Sequence, residues 1–589
     1  MYKIFFKPSA LVIVVIVVSW FALNTYTGNW SKDNIQNDIQ FYYGYLPDAF
    51  VCHDLTHTTP KHNNPNCKNR HHPSPTPNGG HVYKMTMGLS FMYLPFFLVA
   101  HVISPALHVP QDGYSTPYQV CLLLSCLFYT LIGFYFLRKI LLIYFSETIV
   151  AWVLFSLYFG TNLLFYTVSE PLYSHAYNFS LVAAMIYFTI SWHKKPAFKK
   201  SLTLGIILGL LILIRPTNVI LCLFPLLYGV YNRTTVKEKL KLIQSNLYQI
   251  SAVGLLAFCI LVPQLIYWKV NSGEWFFYSY QNEKFFFGNP HIWEGLFGFR
   301  KGWLIYTPIM SIAIFGMIVG AREFKQFFLP ITILAAIFIY VTFSWWCWWY
   351  GGSFGQRSFI DTYALFAFPL AASYKFLFRK IILRGLSILV IVFFLFLNVF
   401  QSWQYSQGIL HYEAMTKDAY FLIFGKTGYP ETWGSKIRFP DYRRVGKGLP
   451  EEFIQEELYT GKYSFRAFNI KFIKANIDKS KDLTATMFDN GDWETFEFVR
   501  LENNKVALRA GNGKFVSADR SSQSRLIADR DQTAEWEQFE LKFLGDNKIA
   551  LKSSENKFVS VKGDDQNNIL IADADSMGTA EVLRVYTSY

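Results

Sequence analysis

Apolar runs of about twenty residues recur along the first two-thirds of the chain and stop near residue 402. A helix rises about 1.5 Å per residue and the hydrocarbon core of a bilayer is about 30 Å thick, so such runs predict membrane-crossing helices. The candidates are 9–24, 117–137, 147–166, 174–192, 201–214, 216–231, 247–268, 302–320, 327–345, 357–375 and 383–402. The fifth and sixth are short and are split by Arg215-Pro216. One further apolar stretch, 89–107, is ambiguous by pattern alone. After residue 463 the pattern turns to short alternations of apolar and polar residues, the period of a strand. The expected fold class is a polytopic α-helical membrane protein with a C-terminal all-β domain. It divides into a membrane domain at 1–402, a linker at 403–462 and a β domain at 463–589.

Charge sets the expected orientation. The chain carries a formal net charge of +14. Nucleic acid is not the expected partner, because in a membrane protein excess Lys and Arg flanks spans on the cytoplasmic side. With Lys3 and Lys7 inside, and 89–107 as a helix at the outer interface, the clusters Arg138-Lys139, Lys194-Lys195, Arg233 to Lys241, Arg322-Lys325 and Lys375 to Arg384 all fall inside. A crossing at 89–107 would throw most of them outside. Eleven crossings result, and the odd number puts the C-terminal domain outside. The first segment, SALVIVVIVVSWFAL, has the basic start of a signal peptide, but Asn24, Thr25 and Tyr26 follow it and supply no small-x-small cleavage site. It is read as an uncleaved first span, leaving 25–116 as the first outer loop.

This layout leaves Lys84, Arg215, Arg300, Lys301 and Arg357 at outer ends of spans, against the rule. Headgroup contact explains any one of them; an anionic ligand at the outer surface explains all five. Arg215, in LLILIRPTNVIL, needs a partner or water, because a charge among apolar helices is costly. A guanidinium at that corner can grip a phosphate bidentately. In WWCWWYGGSFGQR, residues 345–357, the side chains of Trp345, Trp346, Trp348, Trp349 and Tyr350 fit an interfacial aromatic belt or a groove for a polyprenyl chain. Gly351, Gly352 and Gly355 allow the backbone to bend there. In YTVSEPLYSHAY, residues 166–177, Glu170 and His175 lie near the membrane. Glu170 is a candidate second acid, or a cap for the following helix. Asp361, four residues past Arg357, is an exceptional acid within an apolar run.

Within the first outer loop, residues 37–55 hold three aspartates, Asp38, Asp48 and Asp54. Asp38, beside the aromatic run Phe41-Tyr42-Tyr43, is the candidate general base, with an N-cap before IQFYYGYL as its structural alternative. Asp48 and Asp54 are second choices. An insert at 53–81 holds six of the twelve histidines. Zinc is conceivable there, but the spacings fit no standard site. A Cys52–Cys67 disulfide is the simpler use of that cysteine pair outside the cytoplasm. No cofactor is expected, and a divalent metal has no supporting motif.

These features together resemble the GT-C glycosyltransferases over residues 1 to about 400. Within that class the chain resembles the protein O-mannosyltransferases and the bacterial aminoarabinose lipid A transferases. In that class a first span leads to an outer loop with an essential Asp, then interfacial helices, then the second span. Asp38 followed by FYYGYLP matches the acidic position. KMTMGLSFMYLPFF, residues 84–97, resembles the interfacial helix, with Lys84 at the phosphate-contacting cation. Arg215 in RPTN matches the cationic corner between spans five and six. Protein O-mannosyltransferases carry adjacent Asp and Glu in the loop, whereas Asp38 is flanked by Asn37 and Ile39. The resemblance implies a polyprenyl-phosphate-linked sugar donor, membrane lipids around the enzyme, and an acceptor protein, lipid or glycan. It implies a bacterial cytoplasmic membrane, with the C-terminal domain extracytoplasmic.

The C-terminal domain repeats itself. KFIKA at 471, KFVSA at 514 and KFVSV at 557 lie 43 residues apart. YSFRA, VALRA and IALKS share that spacing, as do WETFEF and WEQFEL; LTATM, LIADR and LIADA follow with a one-residue slip. Three copies of short strands predict a β-trefoil. The motif set resembles fascin-like trefoils and lacks the Q-x-W of ricin-type sugar binders. The expected function is sugar transfer at the outer membrane face; a lipid-linked sugar transporter is the alternative, and a membrane-anchored display of the trefoil ranks last.

Overall fold

The computed structural model describes residues 7–588 apart from 59–65, 69, 71–72, 460, 477–480, 519 and 564–566. His62, His71 and His72 of the histidine-rich insert lie outside the described residues. The chain forms two compact units, Met1–Tyr412 and Glu413–Tyr589.

The first unit is helical. Among the described residues, five helices are long and apolar enough to cross a membrane: Pro8–Tyr26, Thr116–Leu141, Leu247–Ser272, Lys325–Ser344 and Ile381–Ser406. Helix length therefore does not support eleven crossings. Several predicted spans are interrupted by local breaks, whereas 174–192 forms the unbroken helix Ser174–Lys194 and is not among the five. The predicted segment 147–166 stops as a helix at Phe159, before Gly160, and restarts at Phe165–Val168. The segment 302–320 is cut at Thr307-Pro308 into Trp303–Tyr306 and Ile309–Val319, because a residue before proline avoids the helical region. Arg215 is extended (φ −145°, ψ 112°) ahead of Pro216, so Phe198–Ile214 ends there. A 3-10 turn, Pro216–Cys222, and a short helix, Leu223–Leu227, replace the predicted sixth span. The ambiguous stretch forms the helix Gly88–Ile103. Two short strands, β1 (Ser74–Pro75) and β2 (His81–Val82), pair in the first loop.

The connections expected on one side meet in space. Glu147 lies 3.7 Å from Lys7 and 3.0 Å from Arg138. Lys239 reaches His193, and Gln326 receives the Tyr228 hydroxyl at 3.0 Å. At the opposite end of the N-terminal helix, the Trp20 indole donates to Thr167 O, and Asn29 donates to Val168 O.

The second unit is a β-trefoil. Six strands close a barrel: β3 (Lys462–Arg466), β6 (Thr495–Arg500), β7 (Lys505–Ala510), β10 (Phe539–Gly545), β11 (Lys548–Ser553) and β14 (Leu583–Thr587). Three hairpins cover one end: β4–β5 (Phe472–Ala475, Leu483–Met487), β8–β9 (Phe515–Ser517, Ile527–Arg530) and β12–β13 (Phe558–Val561, Leu570–Ala574). They are joined by Leu483 N–H to Leu526 O and Leu526 N–H to Leu570 O. Each repeat supplies the same core positions: Phe465, Leu508 and Leu551; Ile473, Val516 and Val559; Phe496, Phe539 and Leu583. The segment read as a linker packs on this barrel from residue 413 onward. Asp441 accepts from the Thr587 N–H at 2.8 Å, and Asn547 accepts from the Phe453 N–H at 2.7 Å.

Candidate functional site

Asp38 begins the short helix Asp38–Tyr43, after Asn37 with a positive φ of 51°. Its side chain does not cap that helix. It accepts from Arg357 Nη2 at 3.0 Å, across 319 residues of sequence. The Arg357 guanidinium lies 4.9 Å from the Tyr173 ring centroid. Its Nε is buried without a hydrogen-bond partner, so one prong of the fork holds Asp38 and another is unused.

Glu170 completes this corner. It does not cap the following helix, Ser174–Lys194, which has no side-chain cap bond. Its Oε2 is buried without a partner. Burial pushes its carboxyl up to about 7, against the pull of Arg357 and Lys301 and with a further push from Asp38. Two carboxylates therefore share one guanidinium, and only one of them is ion-paired.

Arg215 faces Asp361, with Nη1 3.8 Å from Oδ2. Asp361 is buried and is also held by His175 Nδ1 at 3.0 Å and Asn178 Nδ2 at 2.7 Å. Such sharing is what a buried carboxylate requires, since an unpaired charge among helices costs several kcal/mol. Lys84 Nζ lies 2.5 Å from Glu283 and 5.3 Å from the Tyr280 ring centroid. Tyr280 is half-buried and lies within electrostatic range of Arg215, Asp38 and Glu283, which links the Lys84 corner to the Asp38 corner.

Arg300 and Lys301 are used differently. The Arg300 guanidinium lies 4.9 Å from the Trp349 ring centroid and 5.9 Å from that of Trp348. Lys301 is buried and donates to the carbonyls of Ser353 and Tyr412. It holds the glycine turn in place, and Glu170 feels its charge. In that turn Tyr350 and Gly351 adopt φ of 59° and 64°. Trp348 and Trp349 are buried, while Trp345, Trp346 and Tyr350 are half-buried. Trp345 packs edge-on against Phe285 at 4.6 Å.

Asp48 and Asp54 are occupied elsewhere in the loop. Asp48 is buried, accepts from the Tyr83 hydroxyl, and lies 3.3 Å from His57 Nδ1. Asp54 accepts from Thr56 N–H at 3.0 Å and from its hydroxyl. Cys52 and Cys67 form a disulfide. Among the described residues no cluster of three or more His, Cys, Asp or Glu has metal-binding geometry. Sequence reasoning missed Glu283, Tyr173 and Asn178. The one signal for such partners was the need of Arg215 and Lys84 for counter-charge.

Residues 451–588 match the family model described as the FRG1-like domain. No curated protein matches the chain. Solved structures with similarity include a designed three-fold symmetric protein, ThreeFoil, at 20% identity, covering 21% of this chain and 98% of that one, with a TM-score of 0.20. An exo-β-1,3-galactanase from Clostridium thermocellum matches at 14% identity, over 22% of this chain and 30% of that one, with a TM-score of 0.20. A Polyporus squamosus lectin matches at 11% identity, over 21% and 48%, with a TM-score of 0.19. At such scores these likenesses carry no argument about this chain. The C-terminal part of the chain is a β-trefoil-type, FRG1-like domain.

Proposed function

We propose that the chain is a multi-pass membrane glycosyltransferase of the GT-C type. It moves a sugar from a polyprenyl-phosphate donor to an acceptor hydroxyl on a protein, lipid or glycan. The reaction lies at the outer face of a bacterial cytoplasmic membrane, with the trefoil on that side. The five long helices cross the membrane and the shorter, broken helices complete eleven crossings inside the bundle, where irregular backbone is tolerated. The observation that carries this reading is the Asp38–Arg357 ion pair, with Arg357 Nε and Glu170 Oε2 both buried and unused beside it.

The chemistry needs a base and an anion cradle in one place. The acceptor oxygen attacks C1 of the donor sugar, and the C1–O bond to phosphate breaks with its electron pair on the departing polyprenyl phosphate. The acceptor proton passes to a carboxylate, and Asp38 takes that role. Arg357 and Arg215 stabilise the phosphate charge as it develops, with Lys84 at the edge of the same region. Trp345, Trp346 and Tyr350 offer an apolar flank to the prenyl chain.

The test is sugar transfer from lipid-extracted polyprenyl-phosphate donors by purified wild type, Asp38→Asn and Asp54→Asn. Transfer is expected in wild type and Asp54→Asn, with a loss of at least about 100-fold in Asp38→Asn. Normal transfer by Asp38→Asn removes Asp38 as the base. The second reading is a lipid-linked sugar transporter, favoured by the buried Asp361–His175–Asn178 cluster. Movement of lipid-linked sugar between leaflets without transfer would select it.

A further inference from the structure

The trefoil unit has a cavity of about 190 Å³, lined by none of the residues of the candidate site described above. It opens between β3, β14, the start of β11 and the segment 434–439 that packs on the barrel. Four cations line it: Lys436, Arg466, Lys548 and Arg584. The rest of the wall is largely apolar, with Ile437, Phe439, Phe468 and Val582.

The cations are positioned rather than loose. The Arg466 guanidinium lies 3.6 Å from the Phe439 ring centroid and 4.5 Å from that of Phe472, and it donates to Phe488 O at 3.2 Å. Stacking of this kind fixes the plane of the fork. Arg584 and Lys548 both lean on Asp546, at 3.5 Å and 3.1 Å, and Arg438 contacts the same carboxylate. Asp546 is partly buried, yet Arg438, Arg584 and Lys548 outweigh that burial and hold its carboxyl below the usual range. Arg438 is also paired with Glu452 at 3.3 Å, so two carboxylates serve these three cations and positive charge stays in excess. Lys436 is exposed at the rim and has no acidic partner among the described residues.

We infer that this cavity binds an anionic sugar, with its phosphate or carboxylate oxyanion at Arg466 and Arg584 and its ring against the apolar wall. The volume is below the usual range for an extended ligand, about 300–1,000 Å³, and suits one charged sugar unit. Arginine forks match both oxyanions bidentately. A neutral sugar would leave the excess charge uncompensated. The inference is independent of the transferase reading, because every residue in it belongs to the trefoil unit.

The experiment is calorimetric titration of the purified full chain in detergent with glucose 6-phosphate, glucuronate and glucose. Saturable, salt-sensitive binding of at least one anion is expected, and no binding of glucose. Arg584→Gln and the rim variant Lys436→Gln should each weaken it, Arg584→Gln by about tenfold, the loss of one charge-assisted contact. Lys194→Gln, an exposed position in the helical unit, should leave it unchanged. Preference between the two anions identifies phosphate or carboxylate as the natural group. The inference is overturned if neither anion binds, if glucose binds equally well, or if Lys194→Gln abolishes binding while Arg584→Gln and Lys436→Gln do not.

Discussion

Asp38 pairs with Arg357 and Glu170 lies within its electrostatic range, yet their environments differ. Asp38 is ion-paired and half-buried, whereas Glu170 has a buried, unpartnered oxygen and a carboxyl pushed up to about 7 by burial. A group titrating near neutral pH should appear in the rate profile. Transfer is expected to inflect near pH 7, and Glu170→Gln should flatten that inflection while Asp38→Asn lowers the whole curve. Stability follows with a definite sign. The folded chain keeps the Glu170 proton to a higher pH than the unfolded chain, whose glutamates titrate at about 4.3. Folded protein therefore loses stability as pH rises from about 4.3 through about 7. The melting temperature of wild type should fall across that window, and Glu170→Gln should fall less. The candidate acids were legible as residue types in a loop. That Asp38 would meet Arg357, 319 residues away, was not.

At the scale of elements, the Arg215 corner depends on a close helix approach. A Cβ on Gly88 would lie 2.3 Å from Ile214 N and 2.6 Å from Leu213 O. Real Cβ atoms do not tolerate that distance from backbone, so Gly88→Ala must shift either Gly88–Ile103 or the end of Phe198–Ile214. It is expected to reduce transfer at least as strongly as many charge changes, though it removes no charge; unchanged kcat and KM would show that the corner does not depend on this packing. The trefoil has its own repeated device. Glu494, Glu537 and Glu581 each accept from a backbone N–H three residues earlier, at 2.8, 2.8 and 2.7 Å. Each is buried. Glu537→Ala should cost about 1–3 kcal/mol, read as earlier urea-induced proteolysis within 461–588. The 43-residue repeat made this architecture legible, because each copy had to place the same apolar residues in one barrel core. The helical breaks were harder to foresee. Apolar composition marks a buried helix and a membrane-crossing one alike, and Gly160 and Pro308 sit inside runs that composition alone treats as continuous.

For the whole molecule, the proposed orientation predicts chemistry in the first loop. A disulfide persists outside the cytoplasm. In intact cells Cys52 and Cys67 should resist thiol-reactive reagents until a reductant is added, and then label from outside. Labelling without reductant would remove the extracytoplasmic placement of that loop. The chain should fractionate with membranes, and protease added to spheroplasts should reach the trefoil.

The sequence by itself determined the two regimes, helical and β, and the trefoil topology. These follow from local periodicity and from a near-regular 43-residue repeat, which short-range physics is enough to read. It also marked Arg215 as a charge in need of a partner. Only the tertiary structure decided which partner each charge found: Asp38 for Arg357, Asp361 for Arg215, Glu283 for Lys84 and backbone carbonyls for Lys301. Those pairings join residues far apart in the chain. Burial makes a partner obligatory for Asp361 and Lys301, but it leaves no trace in the spacing of neighbours along the sequence.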